Sequence, residues 1–247
     1  MRRLDQILVE RGLCESREKA KRAIMAGQVL INGQTAGKPG DRVKPGATIA
    51  VVASEKYVSR GGYKLEHALK HFQLEVVGLV AVDLGASTGG FTDCLLQAGA
   101  HKVYAVDVGQ GQLAWKLRSD ARVVVMERTN ARHLTAQSFP PPCPPVDLVV
   151  IDCSFISLRK ILPAAVAILR PFGRIIALIK PQFEAGRAEA DRGRGVITDP
   201  LVHERVVQEL REFANGQAGW HWRGLTESPL LGPAGNKEFL VLIEKTS

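Results

Sequence analysis

No apolar run in this 247-residue chain reaches the ~18 residues that a membrane-spanning helix needs. The start, Met1-Arg2-Arg3-Leu4-Asp5, lacks the apolar core of a secretory signal. Cysteine is scarce: four stand at 14, 94, 143 and 153, with no Cys-x-x-Cys pair. That usage argues against a zinc ribbon or a disulfide framework and predicts reduced thiols in a cytoplasmic protein. There is no internal repeat, so a solenoid is excluded. What remains is 45% hydrophobic and 23% charged, close to the globular average, which excludes a disordered or fibrous chain.

Acidic residues are under-represented at the front. Residues 1–64 hold 13 Lys and Arg against 6 Asp and Glu, whereas residues 65–247 hold 20 against 19. Most of the net charge of +8 therefore lies in the first quarter of the chain. Such a concentration favours a polyanionic partner, nucleic acid before membrane, over a merely solvated face.

The front segment reads as a small α+β unit over residues 1–52. Leu4, Ile7 and Leu8 have helical spacing and Gly12 follows. Ser16 reads as the N-cap of a second helix, Arg17 to Ala26, that ends at Gly27. Val29 and Ile31 alternate with other residues ahead of Asn32-Gly33, a hairpin signal, and Thr48–Val52 reads as a further strand. Arg17 and Lys21 lie one helical turn apart beside Arg22, a spacing suited to successive phosphates. The pattern Ser16-Arg17-x-x-Ala20 … Ile24-x-x-Gly27-x-Val29-x-Ile31-Asn32-Gly33 resembles the RNA-binding domain of ribosomal protein S-four. That resemblance implies contact with structured RNA through Arg3, Arg17, Lys21 and Arg22.

Residues 53–63 read as a linker, and it carries Arg60, which joins the expected RNA-contacting set. From 64 to 247 the chain alternates short apolar runs with helical stretches. The runs Leu79–Leu84, Lys102–Val106, Val123–Met126, Val146–Ile151 and Ile175–Ile179 lack polar alternation, as buried strands do. Helices are expected at Lys64–Phe72, Thr92–Ala98, Ser157–Leu169 and Pro200–Phe213, and late strands near Trp220–Thr226 and Phe239–Ile243. Alternating β and α units predict an α/β fold with a doubly wound parallel sheet.

The first strand runs into Asp83-Leu84-Gly85-Ala86-Ser87-Thr88-Gly89-Gly90. Glycines at a strand-to-helix turn let backbone approach a ligand. A dinucleotide site wants a second glycine where Ser87 stands, to admit a pyrophosphate. A hydrolase elbow matches Gly85, Ser87 and Gly89 literally, but on the wrong strand. S-adenosylmethionine has no pyrophosphate and suits the turn best, with Asp107, 22 residues after Gly85, placed to accept a ribose diol. A turn that only packs is the plain alternative.

Four ionisable residues hold suggestive positions. Asp152 and Lys180 end neighbouring strands, Glu238 opens the last strand, and Lys64 opens the first body helix. A lone charge at a strand end is usually just solvated. Two on the ligand side of adjacent strands are harder to dismiss.

With the Gly-rich turn, these residues resemble the Lys-Asp-Lys-Glu tetrad of the FtsJ-like ribose 2′-O-methyltransferases. The likeness is closer still to the TlyA family, also named haemolysin A. It is carried by Val58 to Leu65, Asp83 to Thr92, Asp107 to Trp115, Glu127 to Arg132, Asp152 to Ser157 and Lys180 to Glu184. The resemblance implies a Rossmann-like class I methyltransferase body, S-adenosylmethionine as cofactor without metal, and methylation of a cytidine 2′-hydroxyl in ribosomal RNA. Lys64, Asp152, Lys180 and Glu238 would be catalytic. Asp83, Gly85, Ser87, Thr88 and Gly89 would hold the amino-acid end of the donor, Asp107 its ribose, and Thr129 and Asn130 its adenine.

The loop Gly186–Gly195, with Arg187, Arg192 and Arg194, is expected to close on RNA. Few residues precede the first helix, and shorter family members of this kind are associated with the large-subunit cytidine alone, so a large-subunit target is expected. The haemolysin name offers a pore-former, for which the sequence carries no support. An assembly factor with a vestigial methyl-donor site is the alternative function.

Overall fold

The computed structural model describes residues 2–52, 55–142, 144–186, 189 and 193–246. Cys143, Arg187 and Arg192 lie outside the described residues, so the expectations placed on them have no structural counterpart. The chain divides into two units, residues 1–56 and 57–247.

In the first unit β1 (Arg2–Arg3) leads into α1 (Leu4–Glu10) and α2 (Arg17–Met25). The strands β2 (Val29–Ile31), β3 (Gln34–Thr35), β4 (Arg42–Val43) and β5 (Ile49–Val51) follow. Ser16 accepts the Lys19 backbone N–H at 3.2 Å, which is the cap expected for α2. Asn32 and Gly33 both adopt positive φ, 49° and 81°, and turn β2 antiparallel onto β3. Leu4, Leu8, Ala20, Ile24 and Val29 form the centre of a small core.

Asp5 is buried inside this unit and accepts hydrogen bonds from Arg3 and Arg17 at 3.0 Å. Its bond to the Arg3 guanidinium is the main reason its carboxyl is held down at about 2, against 3.8 for the free group. The folded value is the lower one. The pairing therefore stabilises the unit fully above pH 3.8 and is lost as pH falls through about 2. Asp5→Asn is expected to be less stable than the wild type near neutral pH. The two should converge towards pH 2, a comparison that chemical denaturation at several pH values makes directly. Equal stability throughout would contradict the pairing.

The second unit starts earlier than the sequence indicates. Tyr57 is buried, Val58 N–H donates to Asp93 Oδ2 at 2.8 Å, and the helix α3 (Gly61–His71) already includes Gly61 and Gly62. The stretch 57–63, which reads as linker for its glycines and polar residues, is thus part of the folded body. Its glycines serve contact: a Cβ on Gly62 would sit 2.2 Å from the Tyr57 ring, and one on Gly90 would sit 2.9 Å from Gly62 N.

The remaining elements are β6 (Val80–Leu84), α4 (Gly90–Gln97), β7 (Lys102–Val106), α5 (Trp115–Arg118), β8 (Val123–Met126), β9 (Val146–Ile151), α6 (Leu162–Ile168), β10 (Leu169–Ile179), α7 (Pro181–Glu184), α8 (Pro200–Asn215), β11 (Trp220–Glu227) and β12 (Phe239–Lys245). The seven strands order as β11-β12-β10-β9-β6-β7-β8. The run from β10 to β8 is parallel, and β12 and β11 join antiparallel. Alternate residues of β6, β7, β9 and β10 feed two cores, one on each face of the sheet, which is why these strands read as continuous apolar runs.

The helix expected at 157–169 is shorter. Pro163 lacks an N–H and is tolerated only in a first turn, so a 3₁₀ turn at Leu158–Lys160 precedes α6. β10 in turn begins earlier than expected, with an irregularity between Leu169 and Arg174.

Candidate active site

The strand order reverses between β6 and β9, where open sheets of this kind bind ligands at the carboxyl ends of their strands. β6 leaves the sheet there through Gly85, with φ of +84°. A Cβ at Gly85 would lie 2.8 Å from the Asp152 carbonyl oxygen at the end of β9, so any side chain would force the turn off the strand end.

Asp83 stands behind this turn. Its Oδ2 accepts from Thr92 N–H at 2.9 Å and Thr92 Oγ1 at 2.6 Å, which braces the start of α4. Burial pushes its carboxyl up to about 7, Thr92 opposes the rise, and the nearby Asp152 and Asp107 add to it. Its Oδ1 is buried without a hydrogen-bond partner. Neither Asp83 nor Gly89 lines the cavity beyond, whereas Gly85, Ser87 and Thr88 do.

On the β7 side, Asp107 accepts from Ser87 N–H at 2.8 Å through Oδ2 and from Gly109 N–H at 2.7 Å through Oδ1. A carboxylate has about four lone-pair sites, so each oxygen keeps room for a further donor. Thr129 N–H donates to the Asp107 carbonyl at 2.9 Å, and Asn130 Oδ1 accepts from Arg132 N–H at 3.1 Å. Asn130 thus spends its oxygen on a local turn, while both residues still line a cavity of about 510 Å³ with Asp107, Phe155 and Ile156.

A second cavity of about 360 Å³ shares Gly85, Ser87, Asp152 and Ser154 with the first, so the two adjoin. Lys64, Asp152, Lys180 and Glu238 all line it, and Arg60 stands at its wall, donating to the Leu231 carbonyl at 2.8 Å. The four ionisable groups form two pairs. Lys64 Nζ lies 2.5 Å from Glu238 Oε2, with both side chains almost fully buried, at 7% and 1% exposure. Lys180 Nζ lies 2.6 Å from Asp152 Oδ1 and 2.9 Å from Ser154 Oγ. Gly232 packs against Glu238: a Cβ there would lie 2.5 Å from Oε1.

The RNA-contacting candidates of the first unit stand differently. Arg3 and Arg17 are half-exposed and engaged with Asp5, Lys21 pairs with Glu18 at 3.0 Å, and Arg22 is exposed.

Sequence reasoning assigned no role to Ser154, Gln112 or Phe155. Gln112 Oε1 accepts from Ser87 Oγ at 3.3 Å, and Phe155 adopts φ of +62° on the cavity wall. Glu184 accepts from Ser157 Oγ at 2.6 Å and Leu158 N–H at 2.7 Å, pinning the loop that carries Ser154 and Phe155. Burial pushes the Glu184 carboxyl up. Cys153 donates to the Leu84 carbonyl at 3.4 Å, and burial raises its thiol to about 12, which leaves it protonated and unreactive.

The arrangement suits a cationic donor. Asp107 and Asp152 line the adjoining cavities and supply a local negative field, with Asp83 behind the turn. A sulfonium ligand with a ribose diol matches that field and the Asp107 acceptors. The paired lysines beside it supply the groups that a weakly acidic hydroxyl needs when it becomes a nucleophile.

Comparison with known proteins places this geometry. The FtsJ-like methyltransferase model matches residues 57–245, and the S4 domain model matches residues 2–49. A Bacillus subtilis protein provisionally named as the rRNA methyltransferase YqxC is 51% identical over 240 residues, covering 97% of this chain and 84% of its own. The 16S/23S rRNA (cytidine-2′-O)-methyltransferase TlyA of Mycobacterium tuberculosis is 47% identical over 241 residues, covering 97% and 88%. A solved Streptococcus thermophilus structure, provisionally named a hemolysin, is 46% identical, with a TM-score of 0.75 over 99% of this chain and 88% of its own. Family match, relatives and fold agree: the chain belongs to the TlyA family of FtsJ-like methyltransferases, with an S4 domain ahead of the catalytic body.

Proposed function

We propose that this chain transfers a methyl group from S-adenosylmethionine to the 2′-hydroxyl of a cytidine in ribosomal RNA. The observation that carries this reading is the convergence of the Lys64–Glu238 and Lys180–Asp152 pairs on a cavity that adjoins the acid-lined one. The donor supplies an already activated methyl on a sulfonium, so the protein's work is alignment and proton handling. Gly85, Ser87 and Thr88 hold its amino-acid end, Asp107 its ribose, and Thr129 and Asn130 flank its adenine. Asp83 and Gly89 act from behind, by shaping the turn.

Lys180 Nζ meets the 2′-oxygen. As an amine it takes the hydroxyl proton, and as an ammonium it stabilises the oxyanion that forms. Asp152 holds Lys180 in place, and Glu238 does the same for Lys64 against the ribose. Arg3, Arg17, Lys21, Arg22 and Arg60 contact RNA phosphates, a largely electrostatic and salt-sensitive attachment. The M. tuberculosis relative is named for both 16S and 23S substrates. For this chain the large-subunit RNA is the first target and the small-subunit RNA the second.

The test incubates the purified protein with methyl-labelled donor and unmodified ribosomal subunits of each size. Label in large-subunit RNA supports the proposal. Donor binding without label in either RNA would instead favour an assembly factor.

A further inference from the structure

Ser154 has no role in the tetrad, yet its Oγ lies 2.9 Å from Lys180 Nζ, on the side not taken by Asp152 Oδ1 at 2.6 Å. Lys180 is only 8% exposed, so water has little access to its head group and the neighbouring side chains set its direction. An ammonium has three N–H groups and no acceptor. Asp152 and Ser154 take two of them, which leaves one position of the nitrogen open beside the cavity that all three residues line.

The loop that presents Ser154 is itself held. Phe155 adopts φ of +62°, a conformation that bulky residues seldom take, and is 90% exposed, so the hold on the loop comes from Glu184. Glu184 ties Ser157 and Leu158 from the far side. Helix α7 carries Phe183 and Glu184 and begins directly after Lys180, so the lysine and the serine are anchored to one another through the same short helix.

We infer that Ser154 is a positioning residue for Lys180: its hydroxyl accepts one N–H and so aims the remaining valence of Nζ at the 2′-oxygen of the substrate. The inference rests on the methyl-transfer reading above and adds a group to it. Without Ser154 the head group keeps one partner and rotates about it, and misalignment of that kind costs rate rather than ligand affinity.

The test compares the wild-type chain with Ser154→Ala and Ser154→Thr. Three quantities are read: the single-turnover methyl-transfer rate against pH, the donor Kd by calorimetry, and the Lys180 chemical shift by NMR in protein carrying ¹³Cε-lysine. The Lys180 signal is assigned with Lys180→Arg. Ser154→Ala is expected to lose about tenfold in rate at unchanged donor Kd. The pH profile of the rate and the Lys180 chemical shift should both change, and Ser154→Thr should restore all three. A wild-type rate and Lys180 chemical shift in Ser154→Ala overturn the inference, as does a loss explained wholly by weaker donor binding. If the wild type transfers no methyl, the functional reading fails separately. The NMR signal of Lys180 then decides for Ser154 alone: a changed chemical shift in Ser154→Ala supports the contact and an unchanged one overturns it.

Discussion

Lys180→Met is expected to lower the single-turnover rate of methyl transfer by about 10²–10⁴-fold while donor and RNA binding persist. Methionine keeps an unbranched stem of similar length and removes only the charged head. The fold should tolerate the change, because Asp152 is 25% exposed and water can solvate the carboxylate that loses its partner. Rapid-quench kinetics with labelled donor give the rate, and calorimetry gives the donor Kd. Normal transfer by this variant would remove Lys180 from the chemistry. A rate loss matched by an equal loss of donor affinity would move it from the reacting oxygen to the cofactor site.

The second pair should behave differently, because it is sealed. Lys64 and Glu238 are exposed by only 7% and 1%, so neither is readily solvated when the other goes. Lys64→Met leaves a buried, uncompensated carboxylate, a situation that costs about 3–5 kcal/mol. For a body of this size the melting temperature should fall on the order of 10 °C. The double variant Lys64→Met with Glu238→Leu removes both charges, and well-packed apolar replacements of buried pairs are often neutral. It is expected to regain most of the stability and none of the activity. Recovery of stability without activity assigns the pair to substrate handling. A stable Lys64→Met variant would show that the carboxylate finds another partner, and a double variant with normal activity would make the pair purely structural.

Much of this was legible in the sequence because the signals were local or periodic. Ser16 capping α2, the Asn32-Gly33 turn and the apolar runs of β6, β7 and β9 each need only a few adjacent residues to be recognised. Asp152 and Lys180 were readable as a pair since each ends a strand of one sheet, and the β9–β10 pairing sets those ends side by side. Lys64 and Glu238 are 174 residues apart, and only their likeness to a known tetrad joined them before the fold did.

What stayed hidden has physical reasons. Residues 57–63 carry the composition of a linker, but their glycines let α3 and α4 approach closely, a use that composition cannot distinguish from flexibility. Ser154 and Gln112 lie in loops without periodicity, so nothing in their neighbours announces which atom they reach. Asp83 showed the converse. Its motif position pointed at the ligand, whereas its hydrogen bonds go to Thr92 and its side chain stays behind the cavity wall.

The measurement that tests the account most directly is the identity of the methylated nucleoside. Unmodified large and small ribosomal subunits are treated with the protein and labelled donor, the RNA is digested to nucleosides, and the products are resolved by mass spectrometry. The account predicts 2′-O-methylcytidine, with the methyl on the ribose fragment, formed by the wild type and lost with Lys180→Met. A methyl on a base, or a wild-type yield no greater than that of Lys180→Met, would contradict it.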